Sequence, residues 1–181
     1  MELTIHSAED APDGSKAILD GIAADLGFVP NVAGTAAGSP ALLGAFDGLR
    51  RAVGSGQLDP IAREVAGVAV GVAVDNQYGV AFHSTVLASL GVDDTELDRM
   101  RANTSPSDAK LAAVYELARS IMLDRGKVDD DAVSRATAAG VTTPEILEIV
   151  AECTFAGLVG TLDNLAGRVE LDEFLRPRAW N

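Results

Sequence analysis

Residues 61–74, reading IAREVAGVAVGVAV, limit the possible folds more than any other stretch of this chain. Asp59-Pro60 just before them is a helix-start signal: aspartate caps free backbone N–H groups and proline fits the first turn. Ile61, Val65, Val68 and Val72 then share one helical face, and the opposite side is nearly all alanine and glycine. A helix that is apolar all round must be buried, so the fold has to close around this element. Gly67 and Gly71, one turn apart, predict a close approach by a neighbouring helix. The many valines leave a strand as the competing reading, but the length and the alanines favour helix.

Comparable signals recur along the chain. Ser15 reads as the cap of a helix to Leu26, with Ile18, Leu19 and Ile22 at helical spacing and Gly27 as its stop. Phe28-Val29-Pro30-Asn31 reads as a turn held by Pro30. Ser39-Pro40 opens a helix to Val53, Asn76–Leu90 forms another stopped by Gly91, and Asp94–Arg101 is a short one. Ser105-Pro106 begins a helix to about Asp124, and residues 129–139 give a modest one. Thr143-Pro144-Glu145 starts the last long helix, with an apolar stripe of Ile146, Leu147, Val150, Phe155, Leu158, Val159 and Leu162. The prediction is an all-α bundle of about seven to nine helices. Residues 1–14 form an N-terminal arm and residues 15–181 a single domain, with a charged tail from Glu170.

Aromatic residues make up only 4% of the chain against 48% hydrophobic, so the core must be built from Ala, Val, Leu and Ile. The net charge of −13, with no basic stripe, argues against a nucleic acid or an anionic membrane as partner. A single cysteine, Cys153, excludes an intrachain disulfide and an all-cysteine metal site. The longest apolar run, Val65 to Val74, is about half of what a bilayer requires. The N-terminus shows no basic region followed by an apolar run. A cytoplasmic protein is expected.

One group of residues carries chemistry. Asn76, Gly79 and His83 are spaced three and four apart and share a helix face. Glu64 lies on the preceding helix, and antiparallel packing would bring its carboxylate to His83. A histidine oriented by a carboxylate is a general acid or base near neutral pH. The bland alternative is a satisfied helix histidine beside an exposed or paired glutamate. Tyr78, Asn76 and Gln77 could supply hydrogen bonds to developing negative charge, and Asp75 reads as a helix cap. One histidine and one carboxylate are too few for a metal site. The remaining histidine, His6, lies in the arm and could contribute only across a subunit contact.

The ordered series Phe28-Val29-Pro30-Asn31, Arg63-Glu64 with its Ala/Val helix, Tyr78, His83-Ser84, Gly91, Glu145–Glu152, Asn164 and Trp180 resembles the carboxymuconolactone decarboxylase family in its alkyl hydroperoxidase D-like branch. The resemblance covers the chain from about residue 15 onward and implies the helical bundle of that branch. Its redox members carry a glutamate, a Cys-x-x-Cys pair and a histidine. Aligned on His83, the cysteine positions fall on Asn76 and Gly79, and Glu64 falls on the proton-relay glutamate. Two of the four functional positions are kept.

Peroxide reduction in that branch needs a thiolate and a resolving thiol, because it passes through sulfenic acid and a disulfide; neither asparagine nor glycine can replace them. The name-giving decarboxylases of the family also work without the cysteine pair. The resemblance therefore implies a cofactor-free acid–base enzyme of decarboxylase, lyase or isomerase type, acting on a small organic acid or lactone. His83, Glu64 and Tyr78 would be its catalytic residues, and Asn76, Gln77 and Gly79 would lie against the substrate. No cluster of basic residues near the motif marks a carboxylate-binding site. The alternative is a non-catalytic ligand-binding or structural member. The family also implies a homo-oligomer, a trimer or hexamer, with sites near subunit contacts.

Overall fold

The structure, a computed structural model, describes residues 1–180. Among these residues there are nine α-helices, one 3-10 segment and no strand. The helices are α1 (Asp13–Leu26), α2 (Asn31–Ala36), α3 (Pro40–Gly54), α4 (Pro60–Ala73), α5 (Gln77–Ser89), α6 (Asp94–Arg101), α7 (Ala109–Leu123), α8 (Asp130–Ala138) and α9 (Thr143–Ala166). The 3-10 segment, Glu173–Arg178, lies in the charged tail. No helix among the described residues is long and apolar enough to cross a membrane.

As its sequence demands, α4 is the centre. Ala62 and every residue from Glu64 to Gly71 are buried, and the helix packs against α5, α7 and α9. Two apolar clusters flank it. One gathers α4, α6, α7 and part of α9 around Val68, Val114, Tyr115 and Ile149. The other gathers α1, α2, α3, α5 and the rest of α9 around Leu19, Leu43, Phe46 and Tyr78. The two glycines of α4 act as their spacing predicts, each for its own neighbour. A Cβ on Gly71 would lie 2.8 Å from Val80 Cγ2 and 3.2 Å from the Val80 backbone nitrogen. A Cβ on Gly67 would run into the imidazole ring of His83.

Several boundaries differ from the sequence reading, each for a local reason. Ser39 and Asp59 cap α3 and α4 as expected. Ser15 does not cap α1, which starts two residues earlier behind Pro12; its buried hydroxyl donates to the Ala37 carbonyl at 2.7 Å, tying α1 to the end of α2. The turn at Pro30 continues into α2, with Pro30 itself at the N-cap. Asp108, not Ser105, caps α7. Helix α9 does start at Thr143 as read, with Thr142 as its cap in a reciprocal capping box with Glu145. The arm is tied down: the His6 N–H donates to Gly34 O at 3.0 Å, and a side chain on Gly34 would collide with that strand of backbone.

The apolar stripe read for α9 holds in its second half, where Val159 and Leu162 are buried with Phe155 and Leu158 packed against the core, and fails at two positions in its first. Ile149, Glu152, Cys153, Ala156, Val159, Gly160, Leu162 and Asp163 are buried, while Leu147 is 66% and Val150 42% exposed.

Gly67→Ala should therefore lower stability in denaturant unfolding by about 1–3 kcal/mol, the usual cost of overpacking. Gly48→Ala on α3, where an added Cβ meets nothing within 4 Å, should instead stabilise by roughly 0.5–1 kcal/mol through helix propensity. Similar effects at both positions would show that Gly67 is not a seat for His83.

Candidate active site

The N-terminus of α5 is fixed by Asn76. Its side-chain oxygen accepts from the Gly79 N–H at 2.8 Å, and its amide nitrogen reaches the Ala156 carbonyl of α9 at 3.5 Å. The residue is fully buried. A Cβ on Gly79 would overlap that amide, so the pair is matched: the Asn76 side chain uses the space that Gly79 leaves. Asp75, expected as the cap, instead sits at φ +54° and pairs with Arg168 at 2.5 Å.

His83 follows one turn further along α5. Its ring lies over Gly67, and Nδ1 donates to Glu64 Oε2 at 2.8 Å. The other oxygen of Glu64 accepts from Arg63 Nε at 3.0 Å and Nη2 at 2.9 Å. Glu64 is 4% exposed and His83 6%. An unpaired buried carboxylate costs several kcal/mol, at least as much as burying a valine returns (about 1.5–3 kcal/mol). The pairing is therefore a condition for burial. Burial pushes the Glu64 pKa up, but the His83 hydrogen bond and the charges of His83 and Arg63 outweigh it, so Glu64 is held below its ordinary range. For His83, desolvation acts downward and is outweighed by the hydrogen bond and charge of Glu64, so its pKa is raised.

A third ionisable group faces the ring from α9. Glu152 is 2% exposed, and its Oε1 lies 3.7 Å from His83 Nε2 without a hydrogen-bond partner among the described residues. Burial, reinforced by the charge of Glu64, raises its pKa against the opposing pull of His83 and Arg63.

On another side His83 lines a cavity of about 120 Å³ between α2, α3, α5 and α9, walled by Phe46, Phe82 and Phe155. Apolar cavities of about 150 Å³ hold a benzene-sized molecule. Arg50 contributes the cation in its lining. Its Nε and Nη2 are already bound by Asp47, and Nη2 also by Asp25.

Of the residues singled out in the sequence, Glu64 and His83 come together, and Tyr78 and Gly79 line the cavity. The Tyr78 hydroxyl is committed elsewhere: it donates to Asp172 Oδ2 at 2.5 Å, and burial together with that carboxylate raises its pKa. Asn76 and Gln77 stand outside the cavity lining; the Gln77 backbone N–H donates to Asp163 at 3.0 Å. His6 pairs with Asp10 within the arm. No group of three or more His, Cys, Asp or Glu side chains among the described residues is arranged to hold a metal. Cys153 is buried, and desolvation beside Glu152 pushes its thiol pKa up to about 12. Glu152 and Arg50 are the functional candidates that spacing did not reveal. A carboxylate in the middle of an apolar helix was the available signal for Glu152.

Residues 40–119, which span α3 to α7 and include Glu64, Asn76, Gly79 and His83, match the model of the carboxymuconolactone decarboxylase family. Over this segment the chain is similar to that family. Solved structures share the fold over nearly the whole chain. A peroxidase-related protein of Ralstonia eutropha JMP134, described as an alkylhydroperoxidase AhpD core, superposes with a TM-score of 0.81 at 24% identity, covering 95% of this chain and 93% of that one. A peroxidase-related protein of Silicibacter sp. TM1040 gives 0.76 at 18% identity over 96% and 91%. The debrominase Bmp8, as a cysteine-to-alanine variant in complex with 2,3,4-tribromopyrrole, gives 0.77 at 17% identity over 98% and 95%. No functionally curated protein matches the sequence. The family segment ends before α9, so Glu152 and Phe155 lie outside it.

A double-mutant cycle tests the matched pair at the start of α5. Asn76→Ala alone should cost about 1 kcal/mol as a lost cap, and Gly79→Ala alone about 1–3 kcal/mol by overpacking. Adding Gly79→Ala to Asn76→Ala should cost nothing further, a coupling of about 1 kcal/mol or more. Strict additivity would contradict the shared space.

Proposed function

We propose that this protein is a cofactor-free acid–base enzyme acting on a small organic acid or lactone, in which His83 moves the proton and Glu64 orients it. One observation carries the reading: the imidazole that Glu64 fixes through Nδ1 also lines a small apolar cavity. Nδ1 is occupied, so Nε2 is the nitrogen that exchanges protons. A histidine whose pKa is raised by an orienting carboxylate is suited to protonate or deprotonate a carbon or oxygen next to a carbonyl. The phenylalanine walls favour a compact, planar, mostly apolar substrate, and Arg50, its charge already balanced by Asp47 and Asp25, is the cation in the lining. The tribromopyrrole bound by a protein of the same fold suits the same size class. Decarboxylation, isomerisation and lyase chemistry all meet these conditions.

Dithiol peroxidase chemistry does not. The single thiol is buried with a pKa raised to about 12, so the thiolate that attacks peroxide is scarcely formed, and no second thiol is present to resolve a sulfenic acid.

A non-catalytic, ligand-binding role is the second reading, favoured by the structural employment of Asn76 and of the Tyr78 hydroxyl. Turnover of a panel of small organic acids and lactones decides between them. For a true substrate, His83→Ala should lower kcat/KM by about 10²–10⁴-fold, the usual worth of a general acid or base, and Glu64→Gln by less. Equal turnover by wild type and both variants would remove the catalytic assignment, and saturable binding without turnover would favour the second reading. With hydrogen peroxide and a dithiol reductant, wild type and Cys153→Ser should be equally inactive. Peroxide consumption lost in Cys153→Ser would restore the redox reading.

A further inference from the structure

Glu152 has no part in the acid–base pair described so far. It is a carboxyl group on the buried face of α9, 2% exposed, with an oxygen that no donor among the described residues reaches. Leaving a buried polar atom unpaired costs about 1–3 kcal/mol, and more if it is charged. A glutamine or a leucine would avoid the charge, yet a carboxyl stands here, aimed at the one imidazole nitrogen that Glu64 does not hold.

We propose that Glu152 is a proton reserve for His83: a carboxyl that exchanges one proton with Nε2 and recharges through its own opening to solvent. This rests on the acid–base reading of His83. Once the imidazolium has given its Nε2 proton to a substrate, the O–H bond of neutral Glu152 breaks, an N–H bond forms at Nε2, and the carboxylate is left behind. The reverse transfer serves when His83 acts as the base. The 3.7 Å gap is longer than a hydrogen bond and short enough for a small side-chain rotation or a single water to close.

The opening is separate from the substrate cavity, with which it shares no lining residue. Glu152 lines a recess of about 30 Å³ together with Arg63, Glu148, Gly56 and Leu58, large enough for one or two waters. Glu148 closes its rim, accepting from the Leu58 N–H at 2.5 Å. The ionisable groups around Glu152 are Arg63 and Glu64 from α4, His83 from α5, and Glu148 and Cys153 from its own helix. Such a position lets the histidine be reset while the apolar cavity stays occupied, which a single-entrance site cannot do.

The test needs no substrate. Carbon-13 NMR on the whole chain follows the Glu152 carboxyl and the His83 Cε1 resonance as pH is varied, in wild type and in Glu152→Gln, which also assigns the carboxyl signal. A shared proton makes the two groups titrate together. The Glu152 carboxyl should titrate above its ordinary 4.5, with inflections shared by both resonances, and His83 should lose its proton about one unit lower in Glu152→Gln. A Glu152 carboxyl titrating at its ordinary value, or a His83 curve identical in both proteins, would overturn the proposal. Should Glu152→Gln fold poorly, Glu152→Asp identifies the carboxyl by the signal it removes, and the wild-type curves decide by whether their inflections coincide. The titration can fail while His83 remains essential for turnover, and it can succeed where His83→Ala changes no reaction, so the two claims fail separately.

Discussion

The hydrogen bond from His83 Nδ1 to Glu64 exists because α4 and α5 are pressed together over a glycine. Gly67 leaves a hollow where a side chain would stand, and the imidazole fills it. Glu64 can be buried at the centre of an otherwise apolar helix only because that imidazole and Arg63 satisfy both its oxygens. Remove the ring, and a carboxylate is stranded where desolvation costs several kcal/mol. The small residues of α4, the capped start of α5 and the placement of α9 all serve this one contact.

The site that results is more closed than a solvated enzyme cleft. Its cavity is apolar, its histidine is nearly buried, and the polar side chains at the start of α5 hold the helix in place instead of facing a ligand. In such surroundings charges interact strongly and water competes little, so a single proton-carrying group can suffice. Glu64, His83 and Glu152 form a short line of titratable groups across the centre of the bundle, from α4 through α5 to α9. Asn76 and Gly79 fit together as one capped helix start, the amide filling the space that the glycine leaves.

The helical class, the burial of α4 and the meeting of Glu64 with His83 were legible in the sequence, because each follows from spacing on adjacent helices. The orientation of α9 was legible only in part: Val159 and Leu162 are buried as read. Leu147 and Val150 attract the eye, yet α9 is apolar on nearly every side, and its buried face includes Glu152 and Asp163. Polarity alone cannot rank the faces of such a helix when tertiary partners satisfy the acids: Asp163 accepts from Gln77 and Val169 N–H groups. The same blindness hid Arg50, whose contribution to the cavity depends on how α3 crosses α9. Helix α2 was missed because its six residues, Asn31–Ala36, follow a proline and include a glycine and a threonine.

Stability as a function of pH tests the buried pair most directly. Glu64 has a lowered pKa, so its contribution is present above its ordinary 4.5 and lost as pH falls through its folded value. His83 has a raised pKa, so its contribution is complete below its ordinary 6.5 and lost as pH rises through its folded value. The pair's contribution to the unfolding free energy from denaturant titrations should therefore be greatest between about 4.5 and 6.5 and fall on both sides, with a shallower fall above 6.5 in His83→Gln, where the raised pKa values of Glu152 and Cys153 remain. An alkaline limb that is the same in wild type and His83→Gln would mean that no charged His83–Glu64 pair supports the fold.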